Sequence, residues 1–313
     1  MDQFPPVVII TGPTASGKSA LALSAASQFN GEVINADSMQ VYAELSVLTA
    51  RPSLDDEVKI PHHLYGVLSG SDVCSAGRWL GMAIDKIKEV HKRGKLPIIC
   101  GGTGLYLKVL REGISPVPNV PGHILDKVIA LYQALGADAF IETLAKFDPI
   151  SAAKLNPLDR QRVVRAYSVV MATGRSLPEW HKDQAETPLL RANFFTVHLL
   201  PDRAQLYTKI EQRFDSMIDG GGFEEVKALQ KLNLAPSVPV MKALGVPEIT
   251  AYLMGKINLD IAINRSKQTT RNLAKRQMTW LRNQGTPDLV FNDFGFDAKK
   301  ACISTISNFL GGR

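Results

Sequence analysis

Residues 12–19 read Gly12-Pro13-Thr14-Ala15-Ser16-Gly17-Lys18-Ser19 and fit the spacing G-x-x-x-x-G-K-[ST]. In that spacing backbone N–H groups close around an anion, a lysine ammonium neutralises it, and the last hydroxyl can ligate a divalent cation. The chemistry is the holding of a diphosphate. Gly12, Thr14, Ala15, Ser16, Gly17, Lys18 and Ser19 are the candidate contacts, with Mg²⁺ the expected cofactor and Ser19 its ligand. The spacing does not say whose phosphates are held.

Three more polar groups join this loop. Gly31-Glu32-Val33-Ile34-Asn35-Ala36-Asp37 reads as a short strand ending in a carboxylate, and Leu96-Pro97-Ile98-Ile99-Cys100 as an apolar strand opening into Gly101-Gly102-Thr103-Gly104. In an open α/β sheet the carboxyl ends of the strands face the ligand crevice, so Asp37 and Thr103 should share an edge with the loop. Asp37 could instead cap the following helix. Arg213 is the third group. At 100° per residue it lies about 20° from Leu206 and about 40° from Met217, inside the apolar stripe of its own helix. A charge there must snorkel, pair, or meet an anion.

These groups need a scaffold. Val7-Val8-Ile9-Ile10 reads as a buried strand before the loop, and 18–29 as a helix after it, which is the strand–loop–helix context of the motif. A helix over 75–93 carries Trp79, Ala83, Ile84, Ile87 and Val90 at helical spacing. Strands are expected at 193–200 and 288–291, a helix with Leu206, Ile210, Phe214 and Met217 between them, ended by Gly220-Gly221-Gly222, and a long helix over 259–284. Three prolines between Ser115 and Gly122 break the pattern, and 116–187 is helical in period. The expected fold is α/β, a P-loop NTPase-like parallel sheet of five strands flanked by helices: 1–115 and 190–313 form the core, and 116–189 a helical insertion domain. His62 and His63 are adjacent, so on extended backbone they face opposite ways and do not chelate one metal together.

The chain has 313 residues and a net charge of +6 from 36 basic and 30 acidic residues. That excess matters where it clusters. In 259–284, Lys267, Arg271, Lys275 and Arg282 fall within about 80° of arc, with Arg265 and Arg276 as a second strip, a pattern that reads as a footprint for nucleic-acid phosphates. Arg160, Arg162 and Arg165 form another run, suited to phosphate contacts or to a solvated helix face. Cys74, Cys100 and Cys302 show no C-x-x-C pair, which fits a reducing compartment. No segment reads as a membrane span of about 20 apolar residues. The expectation is a soluble, cytoplasmic, monomeric protein.

Taken together, several segments resemble the tRNA dimethylallyltransferase family, the tRNA isopentenyltransferases. They are residues 12–19, Asp37-Ser38-Met39-Gln40-Val41-Tyr42, Thr49-Ala50-Arg51-Pro52, His62-His63-Leu64, Gly101 to Tyr106, Arg160 to Ala166, and Thr270 to Arg282. They follow the family's order along nearly the whole chain. The resemblance implies transfer of a dimethylallyl group from dimethylallyl diphosphate to N6 of the adenosine 3′ of the anticodon, in tRNAs reading codons that begin with U. The loop would then hold the diphosphate of the prenyl donor, with no ATP consumed.

Carried over motif by motif, Asp37 would accept the proton of the adenine amine, while Thr103 and Arg213 would stabilise the leaving diphosphate. The anticodon stem-loop would meet Asp37, Ser38, Met39, Gln40 and Thr103; Gln161, Arg162, Val163, Val164 and Arg165 in the insertion domain; and Met241, Lys242 and Gly245. Arg271 and Lys275 would add phosphate contacts. The family often has lysine at the position of Arg51, and its H-H-L-I-D continues here as Leu64-Tyr65-Gly66. The absence of a Cys/His zinc module after Arg313 favours the bacterial form. Two other activities fit the loop: prenylation of free AMP, ADP or ATP, and a P-loop nucleotide kinase or ATPase. A tRNA-binding protein without catalysis is a third reading.

Overall fold

The computed structural model describes residues 4–183, 189–294 and 296–311. The chain divides into two compact units, Met1–Arg111 with Leu190–Arg313, and Glu112–Leu189.

The first part of the chain runs β1 (Pro6–Thr11), α1 (Lys18–Gln28), β2 (Gly31–Asn35), α2 (Leu54–Lys59), β3 (His62–His63), α3 (Ala76–Lys92), β4 (Leu96–Gly101) and α4 (Gly104–Glu112). Four helices follow: α5 (Gly122–Ala145), α6 (Pro149–Lys154), α7 (Arg160–Thr173) and α8 (Leu177–Lys182). The chain then forms β5 (Asn193–Leu199), α9 (Arg203–Met217), α10 (Phe223–Lys231), α11 (Val246–Leu253), α12 (Leu259–Gln284), β6 (Leu289–Phe291) and α13 (Phe296–Gly311).

All pairings in the sheet are parallel, in the order β3-β2-β4-β1-β5-β6. The sequence leads to five of these strands. The sixth, β3, has two residues, too few for any periodicity to register. Alternation along the central strands divides the core: Val7 and Ile9 join Ile34, Ile99, Trp79 and Ile87 on one face, while Val8 and Ile10 join Val33, Ile98, Leu21 and Ile306 on the other. Both faces are covered, so these strands read as continuous apolar runs.

One boundary differs from expectation. Gly220-Gly221-Gly222 does not end a helix outright; Ile218–Gly222 forms a π turn after α9, with Gly221 at φ 103°, and α10 starts directly from it. Glycine is what allows that local conformation without breaking the chain's course.

In the second unit, Val128, Phe140 and Leu144 of α5 pack with Val163, Val164, Ala166 and Tyr167 of α7. α5 also corrects the expectation that no segment approaches a membrane span, since its length and composition reach that mark. Gly136, at φ 74° and ψ 175°, interrupts it. The pieces over 122–135 and 137–145 are each shorter than the ~20 residues a crossing needs.

Candidate active site

Register brings the polar ends of three strands together. Thr11 lies opposite Gly101, and Asn35 opposite Cys100, so β1, β2 and β4 finish nearly level. The phosphate loop leaves β1, the Asp37 turn leaves β2, and Thr103 follows β4, all at the carboxyl edge of adjacent strands. In the loop Ala15 has φ 64° and Gly17 φ 88°. Such left-handed residues turn successive N–H groups toward one concave side, the geometry of an anion nest. Ser16 Oγ is buried there without a partner among the described residues, an acceptor and donor left for a ligand. Lys18 Nζ donates to the Pro13 carbonyl at 3.3 Å. Burial pushes its pKa down, against the pull of Cys100 and Asp37.

The Asp37 turn is tied from both sides. Asn35 Oδ1 accepts the Asp37 amide hydrogen at 2.8 Å, Asn35 Nδ2 donates to the Asp37 and Leu64 carbonyls, and Asp37 Oδ1 accepts from Met39 N at 2.9 Å. The polar Asn35 in an otherwise apolar strand therefore has a purpose: it fixes the carboxylate's backbone. Thr103 Oγ1 accepts the Ser38 amide hydrogen at 3.0 Å, which leaves the hydroxyl hydrogen to donate elsewhere.

α9 supplies the cation. Arg213 donates to Thr14 Oγ1 in the loop, and burial lowers its pKa while Asp37 opposes that shift. Of the three fates open to it from sequence, this is a charge directed at the phosphate loop. Beside it lies a cleft lined by Thr14, Asp37 and Arg213 and walled by Met39, Leu48, Ile210, Phe214, Met217, Leu244 and Leu273. Sequence periodicity assigns Ile210, Phe214 and Met217 to a helix stripe, and nothing in it separates a residue facing a cleft from one facing the core. Glu225 of α10 shapes one wall: its carboxylate accepts the amide hydrogens of Ser46, Val47 and Leu48.

α12 closes the site through close approach. A Cβ on Gly102 would lie 2.4 Å from Gln277 Nε2, and one on Gly104 would lie 2.3 Å from Trp280 Cδ2. No other residue admits those two side chains.

The sequence model of the family described as IPP transferase matches residues 40–284. The chain belongs to the IPP transferase family. A tRNA dimethylallyltransferase of Rhodospirillum rubrum is 45% identical over 306 residues, covering 97% of this chain and 94% of that protein. One from Rhodospirillum centenum is 47% identical over 279 residues, covering 89% of each. Among solved structures, the full-length tRNA isopentenylpyrophosphate transferase of Bacillus halodurans aligns with a TM-score of 0.70 at 32% identity, over 99% of this chain and 96% of that one. A eukaryotic dimethylallyltransferase described as acting on tRNA aligns with a TM-score of 0.84 at 29% identity, over 99% of this chain and 80% of that one.

The nominated RNA contacts of this IPP transferase family member fall into three groups. Asp37, Ser38 and Met39 lie in the tied turn described above, whereas Gln40 is spent on structure, its Nε2 donating to the Thr49 and Ala50 carbonyls at 2.8 and 3.0 Å. In the second unit Gln161, Arg162 and Arg165 are exposed on α7. Val163 and Val164 are not: both are buried in that unit's core and serve packing, which corrects their nomination as side-chain contacts. Met241 packs against the first unit's core and Gly245 is buried, while Lys242 is exposed.

The α12 charges also divide. Lys267 pairs with Asp215 at 2.7 Å and Arg271 with Glu211, both on α9, so half of the expected basic strip faces its own carboxylates. Lys275 and Arg276 remain along an open groove with Trp280 and Asn283. The missed residue is Gln277, whose signal was its place in the motif 270–282 and which charge counting passes over.

Proposed function

We propose that this protein transfers a dimethylallyl group from dimethylallyl diphosphate to N6 of the adenosine 3′-adjacent to the anticodon, in tRNAs reading codons that begin with U. One observation carries the reading: Asp37 and Arg213 share a largely apolar cleft with Thr14 of the phosphate loop. A kinase has no need of a greasy chamber beside its carboxylate. A five-carbon allylic donor does, with its diphosphate on the loop and its chain along Met39, Phe214, Met217 and Leu244. The names of the R. rubrum and R. centenum relatives and the tRNA-acting eukaryotic neighbour support the same reading.

The chemistry follows from the residue types. The allylic C–O bond breaks as negative charge gathers on the leaving diphosphate, where the loop N–H groups, Lys18, Arg213 and the Thr103 hydroxyl would stabilise it without reorganising. The apolar walls exclude water that would otherwise capture the cation. The new C–N bond forms at N6, and the amine proton passes to Asp37, a contribution of ~10²–10⁴-fold for a positioned base. The target base must first leave the anticodon stack, and unstacking costs a few kcal/mol, offset by backbone contacts to Lys275 and Arg276.

Mg²⁺ fits the donor set in the manner usual for that ion, which takes one or two protein oxygens and completes its shell with water and phosphate. Ser19 would hold it at the first turn of α1, and no cluster of three acidic, His or Cys ligands occurs among the described residues to hold it otherwise. When bound it supplies further charge neutralisation to the diphosphate.

Incubation with radiolabelled dimethylallyl diphosphate and either tRNA or AMP tests the reading. Label is expected in tRNA, lost on Lys18→Ala. Label in AMP alone, or phosphate release from ATP without a prenyl donor, would overturn it.

A further inference from the structure

Leu48 reaches the cleft from a stretch that is neither helix nor strand. Residues 45–51 fold as a tight turn: Thr49 Oγ1 donates to the Leu45 carbonyl at 2.7 Å, Ala50 N to the Val47 carbonyl at 3.0 Å, and Arg51 N to the Ser46 carbonyl at 2.9 Å. These bonds leave three successive amides, those of Ser46, Val47 and Leu48, for a partner outside the turn. Glu225 takes all three. One carboxylate oxygen accepts from Ser46 N and from Val47 N at 2.8 Å, and the other accepts from Leu48 N at 2.9 Å. Glu225 is half-buried on α10, which Val226 and Leu229 anchor in the core. A carboxylate on a row of amide hydrogens makes charge-assisted bonds, the stronger kind.

This latch decides where Leu48 points. Its side chain is 7% exposed and sits beside two glycines: a Cβ on Gly222 would stand 3.1 Å from Leu48 Cδ2, and one on Gly245 3.6 Å. Leu48 lines the cleft together with Phe214 and Met217 of α9 and with Asp37 and Arg213. Releasing an amide from Glu225 frees the turn, and Leu48 moves with it. The cleft then widens at that wall while Asp37, Arg213 and the phosphate loop stay as they are.

We propose that Glu225 is a positioning residue for prenyl-chain selectivity: by holding the 46–48 amides it keeps Leu48 as the wall that admits a five-carbon donor and rejects a ten-carbon one. The inference rests on the proposed function. A fixed apolar wall discriminates by obstruction, because the longer chain must displace a packed side chain to enter.

The test uses the whole protein, tRNA, Mg²⁺ and two donors, dimethylallyl diphosphate and geranyl diphosphate, and reads the ratio of their kcat/KM values. The wild type is expected to favour the five-carbon donor by at least ~100-fold. Glu225→Gln keeps one acceptor oxygen and orphans at least one amide, so it should narrow the ratio by ~3–10-fold. Leu48→Ala should narrow it by ~10-fold or more. Because Glu225 acts through Leu48, the double variant should narrow it no further than Leu48→Ala alone. Circular dichroism establishes that each variant is folded, and the wild-type comparison needs no variant. A wild type that uses both donors equally, an unchanged ratio in either folded variant, or effects that multiply in the double variant would overturn the proposal. If five-carbon transfer to tRNA persists through such a failure, this inference alone is wrong. If the wild type transfers neither chain to tRNA, the proposed function falls as well.

Discussion

Thr103 Oγ1 accepts the amide hydrogen of Ser38 at 3.0 Å, joining the residue after β4 to the residue after the Asp37 carboxylate. One hydroxyl therefore has two capacities: its lone pair holds the turn that carries Asp37, and its hydrogen remains available to donate. Thr103→Ser should keep most of the activity. Thr103→Ala should lower kcat by about 10²–10³-fold, the cost of removing one donor from a site of developing charge, with tRNA affinity little changed. Steady-state kinetics on both variants decides this, and an alanine variant near wild-type rate would remove Thr103 from the chemistry.

Asp37→Asn preserves the acceptor for Met39 N and so keeps the turn, but cannot take a proton. A loss of ~10²–10⁴-fold in kcat is expected, with the tRNA dissociation constant within about threefold of wild type. Single-turnover assays alongside filter binding would check it. A variant that fails in binding and turns over normally once bound would show a contact and no base.

The basic face of α12 should respond unevenly. Lys275→Ala and Arg276→Ala are each expected to weaken tRNA binding and reduce the slope of log K against log[salt] by about 0.7–0.9, one phosphate contact apiece. Lys267→Ala should leave the slope alone, because Lys267 is paired with Asp215. Equal effects at all three positions would mean that the ion pair opens on binding.

Stability should fall with acid in two windows. His198, buried between β1 and β6 and 2% exposed, has its pKa pushed down to about 4 by burial and by the Arg111 charge, with Asp288 opposing. The unfolded chain binds that proton near pH 6.5, so stability present above that pH is lost as pH falls from 6.5 to 4, by on the order of 3 kcal/mol at most. Glu32 follows. Burial alone would raise its pKa, but hydrogen bonds from Arg93, His63 and Lys95 outweigh this and hold it at about 2. Its share is present above about pH 4.5 and lost from there toward 2, reduced by solvent at the half-exposed Arg93. Urea titrations across pH should show His198→Gln flattening the first window and Glu32→Gln the second. Unaltered slopes would sink both assignments.

Much of the catalytic edge was legible because it is local. A strand of four or five apolar residues, a glycine-rich turn and a helix form a short-range pattern, and the loop, Asp37 and Thr103 each sit at the end of one. Arg213 was legible as an anomaly, a charge inside an apolar stripe. Val163 and Val164 misled for the complementary reason: a motif gives order along the chain, whereas burial in the insertion unit depends on what α5 brings against α7.

The sequence by itself determined the parallel sheet, the helical insertion, the phosphate loop and the residues able to move a proton or neutralise a diphosphate, since side-chain period and turn chemistry are properties of neighbours along the chain. Tertiary structure alone decided the rest. Leu48, Phe214 and Leu273 meet across three distant segments to make an apolar wall, Arg271 finds Glu211, and Gln277 crosses from α12 to a loop 263 residues away. Those contacts come from the packing of one element on another, and no spacing within any element encodes them.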